Sequence, residues 1–124
     1  MDIYALLVIA NYLCAKATPP TMPQLYGTLA SGGVEVSGLT RVAFYMADPE
    51  QISTTEVLLK SQTPIAFDNT PAGNADEFWA FDAASGGNRW LKIPLTNGPI
   101  TLTDGGNKTF PAGELTHTLE AVSA

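Results

Sequence analysis

At 124 residues and a net charge of −6, the chain has room for one domain. Its six basic residues (Lys16, Arg41, Lys60, Arg89, Lys92 and Lys108) are too scattered to neutralise a run of phosphates, which argues against a nucleic-acid partner. Hydrophobic residues make up 45% of the sequence, enough for a core without staples, but charged residues only 15%, well under the ~25% of ordinary soluble domains. Short uncharged polar groups give up little hydration when packed against another protein, so the composition leans toward assembly; the single Cys14 excludes an internal disulfide framework.

Residues 3–15 (IYALLVIANYLCA) are the most apolar stretch. About thirteen residues is too short for a membrane span, which needs about 20. Ile3, Leu6, Leu7, Ala10, Leu13 and Cys14 follow helical spacing, while Ile3, Tyr4, Val8, Ile9 and Tyr12 suit a strand equally well. Cys14, between Leu13 and Ala15, reads as a buried structural thiol. A secretory signal is the rival reading, because Ala15-Lys16-Ala17 resembles a cleavage site; against it, the one charge ahead of the run is Asp2, where a signal carries Lys or Arg. Next, Pro19, Pro20 and Pro23 enforce a stiff, extended course. The organisation expected is an apolar arm over 1–17, a Pro-rich spacer over 18–24 and a β domain over 25–124. The arm either reaches a neighbouring subunit or folds back on its own domain.

The remaining chain reads as short strands separated by turn chemistry. In 39–46 (LTRVAFYM), Val42, Phe44 and Met46 share one face. Segments 54–60 and 63–67 follow, with Asp48-Pro49-Glu50 before them as a candidate single helical turn. In 76–83 (DEFWAFDA), Phe78 and Ala80 oppose Trp79 and Phe81; in 89–95 (RWLKIPL), Leu91, Ile93 and Leu95 oppose Trp90 and Lys92. Pro94 marks an edge or a bulge. Segments 100–103, 108–110 and 115–122 complete the series. Glycine-rich turns at 31–33, 85–88 and 104–107, and a hairpin signal at Asn97-Gly98, separate them. Strands at this spacing predict an all-β fold, a small antiparallel sandwich or barrel.

Residues for chemistry are sparse. His117 is the one histidine and alternates with Leu115 and Leu119; no nucleophile motif, phosphate loop or dinucleotide fingerprint accompanies it. One Cys and one His do not make a zinc site. Asp68, Asp76, Glu77 and Asp82 flank the loop 68–74, which is oxygen-rich but lacks EF-hand spacing. The chain is therefore expected to be non-enzymatic and to need no cofactor or metal. Trp79 and Trp90 are candidates for the core, for a protein interface or for a sugar platform. Asn107-Lys108-Thr109 matches a glycosylation sequon.

The Thr- and Gly-rich, hairpin-rich segments 38–44 (GLTRVAF) and 100–113 (ITLTDGGNKTFPAG) resemble the small virion accessory proteins of tailed phages, namely head decoration, head–tail joining and tail subunits. The resemblance is one of style and matches no family motif. It implies a structural subunit of a virion or filament, held as a homo-oligomer or on a lattice by contacts with itself or other virion proteins. The candidate interface residues are Ile3, Leu6, Leu7, Ala10, Leu13, Trp79 and Trp90. The alternative is a secreted β-sandwich binding module, carbohydrate being one candidate ligand, from which residues 1–17 are removed.

Overall fold

The computed structural model describes residues 2–13, 23–95 and 98–120. It begins with one helix, α1 (Ile3–Leu13). Strands follow: β1 (Leu25–Ser31), β2 (Val34–Glu35), β3 (Val42–Phe44), β4 (Glu50–Gln51), β5 (Glu56–Lys60) and β6 (Ile65–Thr70). The series ends with β7 (Gly73–Ala75), β8 (Glu77–Phe81), β9 (Arg89–Pro94), β10 (Ile100–Leu102), β11 (Gly106–Phe110) and β12 (Thr116–Glu120).

The main sheet is antiparallel in the order β2-β1-β8-β9. β3 shares the outer edge of β1 with β2, pairing Leu25–Gly27 while β2 pairs Ala30 and Ser31. The β1–β2 hairpin closes through Gly32 and Gly33, whose φ angles of 59° and 82° are the left-handed pair that a type I′ turn requires. Three smaller antiparallel sheets, β11 on β6, β10 on β7, and β12-β5-β4, make up the rest. The strands do not close into a barrel, so of the two expected architectures the sandwich-like one is found.

Period-2 alternation explains the core. Leu25 and Leu29 of β1, Phe78 and Ala80 of β8, and Leu91 and Ile93 of β9 point to one side and are buried. Ile65 and Phe67 of β6 and Phe110 of β11 meet them from the opposite layer. Phe78 is the hub. Its ring lies edge-on to Phe44 at 5.4 Å, Phe67 at 6.4 Å and Phe110 at 6.2 Å, the geometry favoured by aromatic quadrupoles.

Several expectations change. Asp48-Pro49-Glu50 starts no helix; Glu50 and Gln51 pair with β5 as an edge strand, where Pro49 sits ahead of the ladder and removes no donor from it. Residues 68–70 and 73–74 of the expected loop are strand. Trp90 does not share an outer face with Lys92: between Ala80 and Phe81 the register jumps from Leu91 to Arg89, leaving Trp90 as the extra residue of a bulge and turning it inward. Pro94 lies at the other end of β9, which is indeed an edge strand. Residues 14–22, with Cys14 and most of the Pro-rich spacer, lie outside the described residues, as does Asn97. Gly98 has φ 78° and donates its amide to Leu95 O at 3.2 Å.

Candidate interface on the N-terminal helix

The arm is a helix. Asp2 stands at its N-cap, its carbonyl accepting the first helical bond from the Leu6 amide at 3.1 Å. The Asp2 side chain does not cap the helix; it pairs with the Arg89 guanidinium. The Asp2 amide donates to Trp90 O at 3.0 Å. Tyr4 lies edge-on to the Trp90 ring at 5.6 Å, and Ala5 is fully buried. The helix is thus anchored to β9, the edge strand of the main sheet, by the contacts of its first turn.

At 100° per residue, Ile3, Leu6, Leu7, Ala10 and Leu13 occupy one contiguous face of about 120°. That face points away from Ala5 and from the body. Ile3 is 71% exposed, Leu13 75%, and Leu6 and Leu7 about half, while Ala10 is exposed as well. No charged side chain lies between Ile3 and Leu13. A helix apolar on its solvent side is the reverse of the usual amphipathic arrangement, in which charge faces water.

Trp79 and Trp90, the other two candidate interface residues, are buried. Trp90 donates its indole N–H to Asp82 Oδ2 at 3.2 Å and lies at the foot of α1. The Trp79 ring is covered by the Arg89 guanidinium, 4.5 Å from its centroid. Beside it the Arg41 guanidinium lies 3.7 Å over Phe81. Arg41 also donates to both Glu35 carboxylate oxygens and to Ala83 O and Gly86 O at 2.9 and 2.7 Å. The rings of Trp79 and Phe81 thus each carry a guanidinium over one face.

The carboxylates nominated for chemistry are dispersed. Glu77 pairs with Lys92 at 3.5 Å, while Asp82 accepts from the Asn88 amide and the Trp90 indole at the other end of β8. Among the described residues no three His, Cys, Asp or Glu side chains converge. Burial of Asp82 pushes its pKa up, but the hydrogen bonds from Asn88 and Trp90 outweigh that and hold it below 3.8. His117 pairs in register with Leu59 across β12 and β5.

The sequence nominated the outward face of α1 but not its anchor. Asp2 stood out only as the wrong charge for a signal, and nothing in a linear pattern connects residue 2 with residue 89. No helix among the described residues is long and apolar enough to cross a membrane. A scan against protein-family models finds no match to this chain, and a search of curated proteins finds none either.

Proposed function

We propose that the protein is a non-enzymatic structural subunit of a larger protein assembly, held to its neighbours through the outward face of α1. The observation that carries this reading is an uncharged helix whose first turn is fixed to the body, with Ile3, Leu6, Leu7 and Leu13 turned to solvent. Fully burying such a side chain contributes about 1.5–3 kcal/mol, so covering what these four expose contributes on the order of 5 kcal/mol. Bringing two proteins together costs about 4–15 kcal/mol. One helix contact per pair is therefore weak, and the gain accumulates only when each copy is held at several contacts, as in a ring, shell or filament. On the resemblance of the Thr- and Gly-rich segments 38–44 and 100–113 to small tailed-phage virion proteins, the assembly proposed is a virion capsid or tail.

Light scattering behind a sizing column tests this. The native chain should run as a discrete oligomer or filament, and the triple variant L6Q/L7Q/L13Q as a monomer with an unchanged unfolding temperature, since those side chains leave the core intact. A native chain that stays monomeric up to high concentration, or a triple variant that assembles normally, would overturn the proposal.

The secreted-module reading draws on one observation, that the described contacts of α1 with the body come from its first turn, while the β strands carry an aromatic core among themselves. An N-terminus at Thr18 in protein taken from its native source would favour that reading.

A further inference from the structure

A strand at the edge of a sheet exposes a row of backbone donors and acceptors, and natural edges are blunted by brevity, proline, charge or a bulge. The edges of this fold follow that rule with one exception. β2, β3, β4, β7 and β10 are two or three residues long. β9 ends on Pro94 and carries a bulge, β11 carries Lys108 and a register break, and β6 carries Asp68 and the left-handed Asn69 (φ 52°). β12 pairs all five of its residues with β5 in unbroken register, and its one charge, Glu120, is its last residue. Among the described residues no strand pairs with its other side. Resting on the assembly reading above, we infer that β12 pairs with β12 of a second copy, antiparallel across a two-fold axis at Thr118, joining two three-stranded sheets into one of six strands.

Two observations name a second copy as the occupant. The β4–β5–β12 sheet does not bury its own apolar side chains: β5 is its central strand, yet Val57, Leu58 and Leu59 are only half-buried, as is Leu119 beside them. Register also sets Glu120 directly opposite Glu56, an unfavourable like-charge pair, and neither carboxylate belongs to an ion pair among the described residues. The two-fold answers both. Pairing about Thr118 sets Thr116 opposite Glu120 of the second copy. Lys60, the cross-strand neighbour of Thr116, then shares a row and a face with that Glu120, with only the short Thr116 between them. The Lys60–Glu50 pair is exposed and weak, and the ammonium has donors for both carboxylates. The next row aligns Leu59 and His117 with Leu119 and Val57 of the second copy, which carries the aliphatic face across the axis. No like charges oppose one another at the new seam. Five residues of edge pairing are a small contact beside the about 1,200 Å² of stable interfaces, so this pairing adds to the α1 contact and forms no dimer without it.

The charges at the seam allow a test. E120K sets like charges in the row shared with Lys60 of the second copy, while within its own chain it relieves the Glu56 pair. Its solution mass should therefore fall below that of the native chain with no drop in unfolding temperature, and K60E/E120K, which restores an opposite pair across the axis, should recover the native mass. Position reads the axis directly. Thr118 is exposed and would meet its own copy at the about 4.5–5.5 Å of opposed strand residues, within disulfide reach. Assembled C14A/T118C should become a disulfide-linked dimer on oxidation, whereas C14A/T101C, with its cysteine on exposed Thr101 of β10, should not. If E120K assembles as the native chain does, or if assembled C14A/T118C stays unlinked, the pairing is overturned and the α1 contact stands. If the native chain is monomeric, both fall.

Discussion

Gly27 and Phe78 compete for one volume. A methyl group on Gly27 would stand 2.4 Å from the Phe78 ring, far inside contact distance, so the glycine is what lets the aromatic hub lie flat against β1. Gly27→Ala should cost about 1–3 kcal/mol by overpacking and lower the unfolding temperature by several degrees, while F78L in the same chain should recover part of the loss, a coupling that calorimetry of the four variants would read. Titration also acts at this scale. Burial disfavours the charged imidazole of His117 and holds its pKa below the usual 6.5. The unfolded chain then takes up that proton first as pH falls, so the His117 contribution is complete above pH 6.5 and is lost below it. Glu35 follows the carboxylate pattern: the hydrogen bond from Arg41 holds it below 4.5, so its contribution is present above pH 4.5 and is lost as pH falls through its lowered folded value. Urea midpoints measured from pH 7 to 3 should fall in two stages, and His117→Gln should remove the first stage alone.

The elements are held together by a few long side chains as well as by the core. Arg41, just ahead of β3, reaches the carbonyls of Ala83 and Gly86 and so fastens the loop between β8 and β9. Arg41→Lys keeps the charge but loses the planar fork, and it should cost about 2 kcal/mol. Hydrogen exchange at the amides of residues 83–88 should quicken while β6 and β11 stay protected. Strand faces were readable at this scale wherever alternation was regular: Phe78 and Ala80, and Leu91 and Ile93, lie inward as their spacing predicts. Trp90 broke the pattern because a bulge is a property of two strands in register, and one strand's sequence does not contain it. Asp48-Pro49-Glu50 misled for a similar reason, since its neighbour β5 drew it into an edge strand.

Across the whole molecule, the described contacts of the arm lie outside the phenylalanine cluster at the centre of the β core. The buried aromatic cluster joins β3, β6, β8 and β11, whereas α1 contributes the fully buried Ala5 and the ring contact of Tyr4. Removing residues 1–17 should therefore leave the far-ultraviolet β signal in place and abolish assembly; a truncated chain that assembles normally would count against the arm. By itself the sequence determined the all-β class, the turns at Gly32-Gly33, most inward faces and the apolar face of the arm, because these follow from local φ preferences and from the periods of 2 and 3.6. Only the tertiary structure decided that Ile3–Leu13 are a helix rather than a strand, that their apolar face is turned from the body, and that both tryptophans are covered. Each of these depends on what stands opposite in space: Asp2 meets Arg89 and Trp90 across a sequence separation of nearly ninety residues, and no local pattern encodes such a meeting.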